Sequence, residues 1–271
     1  MPTFKDLEQA GWTEKAPAYD DHFAEITRQA IAPILDALGN LAGRDLLDIA
    51  CGTGDLARAA TARGARVTGV DFAPTMVSIA AAKAPSARFV VADAEALEFV
   101  DQSFDAATCS FGLWHMAEPD RALAEAARVL RHGGRLAFTS WLPPEQGFDL
   151  MAMLGTAIRA HGTLEVDLPP SPPPYRFADR HQAAEALAAA GFSAIRFDQR
   201  IAWWHGADAQ QLLDLVYKST VRAPMLIEAQ SPEARRAIRE DLRARVEAKR
   251  SEGRISLRWP FLLVTAIKPA G

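Results

Sequence analysis

Three carboxylates and one imidazole carry the chemistry that can be read from this chain. The run Leu46-Leu47-Asp48-Ile49-Ala50-Cys51-Gly52-Thr53-Gly54-Asp55-Leu56-Ala57 reads as a strand, a tight turn and a helix start. Glycines let a backbone take positive φ and approach a ligand closely. A helix start offers free N–H groups and a positive dipole end. A nucleotide-like cofactor fits above such a turn. Asp71 ends the next apolar strand, where it can accept hydrogen bonds from that ligand, and Asp93 follows the strand after it. His115, beyond a fourth strand, is a group that can take a proton near neutrality.

The glycine turn has two readings. Gly52-Thr53-Gly54-Asp55-Leu56-Ala57 fits the dinucleotide fingerprint, with Asp71 as the ribose partner. Asp55 in the first helical turn argues against it, because a pyrophosphate needs positive surroundings. A cofactor without phosphates suits the turn better. S-adenosylmethionine (SAM) is one, with its ribose diol, adenine, sulfonium and amino-acid end.

The elements that position these residues alternate. Strands are expected at 46–49, 66–70, 88–91, 104–109 and 135–141, with helices at 55–63, 75–83 and 120–130 between them. Gly64 stops the first of these helices, Asp120 caps the last, and Gly133-Gly134 ends it. This alternation predicts an α/β fold, a doubly wound, mostly parallel sheet with ligands beyond the carboxyl ends of its strands. A helix over 20–38 precedes it, with Pro33 as a kink or restart. After Trp141 the pattern breaks. A helix over 149–160 is followed by the proline-rich spacer 169–174, and Asp179 caps a helix that runs to Ala190. Strands over 192–204 and 256–268 bring the sheet to seven, around helices at 208–219 and 231–252. The mixed charges of the latter helix read as a solvated face.

Four segments, in order and at fitting spacing, resemble the class I SAM-dependent methyltransferases. They are Leu47–Gly54, Val67–Met76, Val91–Glu95 and Val129–Leu136. The closest flavour is similar to the ubiquinone and menaquinone biosynthesis methyltransferases, in which Gly-Thr-Gly-Asp-Leu-Ala recurs. The resemblance covers residues 44–141 and implies a Rossmann-like methyltransferase fold with SAM as cofactor. On this reading 1–43 is a helical segment covering the cofactor, 44–141 the SAM-binding core and 142–178 a lid insertion. Residues 179–271 complete the sheet and carry a helical insertion at 208–252.

The resemblance also implies residue roles. Asp71 takes both ribose hydroxyls. Asp93 takes the adenine amino group, with the Ala94 N–H on the ring. Phe72 and Met76 flank the adenine or pack as core. Ala50, Gly52 and Gly54 let the backbone pass the methionyl moiety, Ala50 standing where many relatives have glycine. Asp48 reaches the methionine ammonium through water, or braces the turn. The Ser110 or Phe111 carbonyl holds that ammonium. Trp12 and Tyr19 shield the methionyl end, or merely dock a helix.

Methyl transfer is positioning work, and a base is needed only where the acceptor loses a proton. His115 is the candidate catalytic base, with a pocket contact or a structural role as alternatives, and His205 is a second candidate. Phe148, Met151, Met153, Leu154 and Tyr175 suggest an apolar or aromatic acceptor. The 271 residues carry a net charge of −4, which gives no support to a nucleic-acid surface. No apolar run approaches the roughly 18 residues of a membrane span. The segment Met1–Asp6 has no apolar core of a secretory signal. Cys51 and Cys109 suggest neither a disulfide framework nor a metal site. The expectation is a cytoplasmic SAM-dependent methyltransferase of a small, partly apolar metabolite, with no nucleic-acid or membrane partner. Its oligomeric state is open, a homodimer included. The alternative is a SAM-fold protein that does not methylate: a cofactor-assisted cyclase or lyase, or a SAM sensor.

Overall fold

The computed structural model describes residues 2–270; Met1 and Gly271, the ends of the expected first and last segments, lie outside the described residues. A sheet of parallel strands β1 (Asp45–Ile49), β2 (Arg66–Asp71), β3 (Arg88–Val91), β4 (Phe104–Ser110) and β5 (Leu130–Trp141) is extended by β6 (Ser193–Gly206) and β8 (Arg254–Ile267). The order is β3-β2-β1-β4-β5-β8-β6, with β8 antiparallel to both neighbours. An eighth strand, β7 (Arg250–Ser251), is a two-residue stub paired with the start of β8 through Glu252-Gly253. Both turn residues have positive φ, the pattern of a tight two-residue hairpin.

Helices α1 (Phe4–Ala18), α2 (Ala24–Thr27) and α3 (Ile31–Leu38) precede the sheet; α4 (Asp55–Ala62), α5 (Pro74–Lys83) and α6 (Pro119–Val129) connect its parallel strands. Then come α7 (Asp149–His161), α8 (Arg180–Ala189), α9 (Ala209–Ser219), α10 (Arg222–Glu228) and α11 (Pro232–Glu247). β1 is buried on both faces, as a central parallel strand must be, and carries the buried Asp48 near its carboxyl end. Leu46 faces one core with α3, α4 and the later helices, while Leu47 and Ile49 face the other with α6 and α8. The chain leaves β1 for β2 on one side and returns to β4 on the other. The crevice at the carboxyl ends of β1 and β4 is the ligand position of such a sheet.

Three local expectations need correction. The N-terminal region is helical from Phe4 to Leu38, not only from residue 20. A wide π-type turn at Tyr19–Phe23 and a tight 3-10 turn at Arg28–Ala30 interrupt its α-helical pattern, and Pro33 sits in the first turn of the restarted α3, where a missing N–H costs nothing. Asp120 does not cap α6: Pro119 takes the first helical position and moves the cap to Glu118. Nor do Gly133-Gly134 end that helix, which stops at Val129. The glycines lie inside β5, at a register shift between Phe104–Leu130 and Ala106–Arg135. α10 was not anticipated; it is short and contains Pro224.

Candidate functional site

The turn after β1 is built from backbone that favours glycine. Gly52 and Gly54 have φ of 52° and 82°, and Ala50 has φ 53°. A left-handed φ at alanine costs about 1–2 kcal/mol, so the Ala50 departure from glycine is a strained one. Its methyl group is held against Gly112, where a Cβ would come 2.6 Å from the Ala50 Cβ. Gly54 does not border the cavity described below. It starts α4, and a Cβ there would lie 2.9 Å from the Ala80 Cβ, so its place is the helix–helix approach.

A cavity of about 280 Å3 opens above the carboxyl ends of the strands. Tyr19, Ala50, Gly52, Asp71, Phe72, Met76, Asp93, Ala94, Ser110 and His115 all line it. A smaller hollow of about 40 Å3 shares Tyr19, Thr27, Ala50, Gly52 and Ser110 with it and adds Asp48 and Arg28. His205 lines neither. It is exposed on the outer strand β6, bonded to Ser256 and stacked on Trp203.

Of the acidic residues, Asp71 is the one that the loop itself holds. Asp71 Oδ2 accepts the Gly52 N–H at 3.0 Å and Oδ1 the Ala73 N–H at 2.9 Å. Burial raises its carboxyl to about 6, against those two bonds and the nearby His115. Asp48 is 1% exposed. Thr108, opposite it on β4, donates to Oδ1 at 2.8 Å, while Oδ2 is buried with no partner among the described residues. Burial, then the Asp71 charge, push Asp48 up to about 7, the Thr108 bond opposing them. Asp93 Oδ1 accepts the Glu95 N–H, and its Oδ2 is paired with Lys5 of α1. Asp55 is not a bare charge: Arg28 lies 2.8 Å and Lys83 3.2 Å from it. The case against a pyrophosphate therefore rests on Asp48, a buried carboxylate with an open acceptor oxygen beside the loop.

These features fit SAM. An orphaned buried carboxylate oxygen suits an ammonium, and each Asp71 oxygen keeps capacity for a second donor, as a ribose diol offers. Ala50 and Gly52 bring main chain to the wall between them. Cys51 and Cys109 are both buried, and burial pushes Cys109 up to about 12.

The other half of the cavity is aromatic. Phe23, Trp141, Phe148 and Trp259 line it and pack on one another, with Trp259 at 5.3 Å from Phe23, 5.6 Å from Trp141 and 4.9 Å from Phe148 between ring centroids. Phe111 stacks on Trp141 at 3.8 Å. Leu150, Met151 and Tyr175 complete the wall from the 142–178 segment, whereas Met153 and Leu154 face the core. Of the 208–252 insertion only residues 220–223 and 226 reach the cavity. Trp12 and Tyr19 meet edge to face at 5.6 Å on the α1 side.

Sequence reasoning missed Lys5, Glu8, Arg222 and Trp259, all but Glu8 cavity-lining. Lys5, Glu8, Trp12 and Tyr19 recur at spacings of three, four and seven, which puts them on one helix face. That signal was present in the sequence. For Arg222 and Trp259 none was.

A family profile described as a methyltransferase domain matches residues 47–138. The chain is 47% identical over 112 residues to the demethylmenaquinone methyltransferase of Thermus thermophilus, covering 39% of this chain and 51% of that protein. It is 34% identical over 165 residues to that of Deinococcus radiodurans, covering 55% and 68%. The chain spans about half the length of several of the curated relatives it matches. Among solved structures it is similar to phosphoethanolamine N-methyltransferase 2 of Haemonchus contortus, with TM-score 0.59 and 18% identity over 99% of this chain and 61% of that one. It is equally similar to the [4+2]-cyclase SpnF, with TM-score 0.58 and 22% identity over 100% and 98%. These two likenesses show the fold alone. The family rests on the length of the Deinococcus match, together with the methyltransferase-domain profile: the chain belongs to the class I SAM-dependent methyltransferases.

Proposed function

We propose that this protein transfers a methyl group from SAM to a small, partly apolar organic acceptor held in the aromatic half of the cavity. The observation that carries the reading is one continuous cavity, lined by Asp71, Asp93, Ala50 and Gly52 and by a box of packed aromatic rings. Bound SAM supplies an electrophilic methyl group. The residues supply alignment and a dry surround, the two things an in-line displacement needs. The indole N–H groups of Trp114 and Trp259 are buried without a partner among the described residues, and both rings line the cavity. An acceptor oxygen that accepts from either recovers part of the roughly 1–3 kcal/mol an unpaired buried donor costs. His115 is the base for an acceptor that must lose a proton.

Demethylated naphthoquinols are the first acceptors to assay, since the curated relatives carry the name demethylmenaquinone methyltransferase. Phenols, amines and carboxylic acids of similar size complete the panel. Among the described residues no helix is long and apolar enough to cross a membrane, and we read the protein as cytoplasmic. Its partner on this reading is the small acceptor, not nucleic acid. Release of S-adenosylhomocysteine (SAH) with a methylated acceptor supports the proposal. Chemical change of an acceptor without SAH release, or SAM binding with no turnover across the panel, overturns it in favour of a cyclase or a sensor.

A further inference from the structure

Glu8 is 1% exposed, and no role described so far uses it. It stands on α1, which closes one side of the cavity. Its Oε2 lies 2.7 Å from His115 Nδ1 and 3.1 Å from Trp12 Nε1, and the Arg222 guanidinium is 3.8 Å from its Oε1. Trp12 Nε1 is also 3.3 Å from His115 Nδ1. An indole N–H only donates and a carboxylate only accepts. With Glu8 ionised, the arrangement that puts a proton in both Oε2 contacts has the Trp12 N–H and a His115 Nδ1–H donating to Glu8 Oε2, with Arg222 facing the other oxygen; the longer Trp12 N–H contact to Nδ1 is then given up. In the neutral ring Nε2 then keeps its lone pair. The described residues give Nε2 no hydrogen-bond partner, and the His115 ring lines the cavity.

Fastening α1 does not require this carboxylate. Lys5 pairs with Asp93 and Glu95, Gln9 donates to the Phe72 carbonyl at 2.8 Å, and Lys15 donates to the Tyr217 carbonyl at 2.6 Å. A buried carboxylate that only anchored the helix would cost desolvation and add little to these.

We infer that Glu8 is the positioning residue for His115, fixing the ring and its Nδ1–H tautomer so that Nε2 is the proton acceptor presented to the cavity. The inference rests on the reading of His115 as a base. It narrows the acceptor to one whose reacting atom carries a removable proton, such as a phenol or an enolisable carbon acid. The proton passes from that atom to Nε2, and its bonding pair stays behind as the nucleophile. The imidazolium that forms is balanced by Glu8.

The test is the tautomer of His115, read from long-range proton–nitrogen correlations at pH 8 on the full chain with SAH added, assigned by His115→Gln. The wild type is expected to show Nδ1–H with Nε2 unprotonated, and Trp12→Phe to keep it. In Glu8→Met only solvent and Trp12 act on Nδ1, and the majority form is expected to become Nε2–H. A wild type that is mainly Nε2–H overturns the inference, and so does a folded Glu8→Met that stays Nδ1–H. The wild-type spectrum carries the test even where Glu8→Met does not fold. For an acceptor that turns over, His115→Gln and Glu8→Gln should each lower kcat about a hundredfold while KM for SAM moves less than twofold. An Nδ1–H wild type with full activity in His115→Gln removes the base and leaves the positioning; a loss at His115→Gln with an Nε2–H wild type does the reverse.

Discussion

Cofactor binding to this site should release protons. Asp48 and Asp71 are buried carboxyls raised to about 7 and about 6, and both face the loop that the cofactor approaches. An ammonium on Asp48 Oδ2 and a ribose diol on Asp71 favour the ionised forms, so each carboxyl must give up the proton it holds in the free protein. At pH 6 a group with a midpoint of about 6 is protonated about half the time, and one with a midpoint of about 7 about nine-tenths. Binding of SAH at pH 6 should then release roughly one proton or somewhat more, falling toward zero by pH 8. Affinity should rise with pH. Between pH 5 and pH 7.5 it gains about tenfold if Asp71 alone must ionise, and further if Asp48 must follow. Titration calorimetry in two buffers of different ionisation enthalpy counts the protons directly, and Asp71→Asn should remove roughly the Asp71 half-proton. A proton count near zero at pH 6, with an affinity flat over this range, would refute the assignment of the loop carboxylates to the cofactor.

Other outcomes follow from the same geometry. Asp71→Ala should weaken SAM binding about tenfold or more, given the size of charge-assisted hydrogen bonds; unchanged affinity by calorimetry would mean the ribose lies elsewhere. Asp48→Asn should raise Tm at pH 8 while weakening SAH. The folded carboxyl sits above its ordinary value near 3.8, so its contribution to stability is present below that value and lost as pH rises through about 7. A Tm gain as large at pH 4 as at pH 8 would contradict this. Gly112→Ala should cost about 1–3 kcal/mol, because its Cβ would lie 2.6 Å from the Ala50 Cβ and 2.8 Å from Cys109 Sγ. Denaturant midpoints check it, and no loss would mean the turn yields easily.

The loop side of the cavity was legible in the sequence because its requirements are local. A left-handed turn asks for glycine, a helix start tolerates Pro74, and a carboxylate at a strand end falls within a few residues of both. Where two local signals competed, reading by pattern failed. Pro119 displaced Asp120 as the start of α6, and Gly133-Gly134 served a strand bulge and not a helix stop. Lys5 and Glu8 shared a helix face that the sequence did show, but their partners lie 88 and 107 residues away, so nothing local said what that face meets. Arg222 and Trp259 reach the cavity from the last quarter of the chain, where an arginine and a strand tryptophan look like any others.

This division has a physical consequence for specificity. The matched domain, residues 47–138, supplies the loop, Asp71, Asp93 and His115. Phe23, Trp141, Phe148, Tyr175, Leu226 and Trp259, which face the acceptor on our reading, all lie outside it. Four of these residues are not independent, because the Trp259 ring packs on Phe23, Trp141 and Phe148 at once. Interiors packed at this density do not deform in proportion to a ligand. A change at Trp259 would shift three walls together, whereas a change at Leu226 or Tyr175, each only partly buried, would alter one. Acceptor choice should therefore be altered most readily from the 174–175 and 220–226 segments, with the aromatic box setting the limits within which they act.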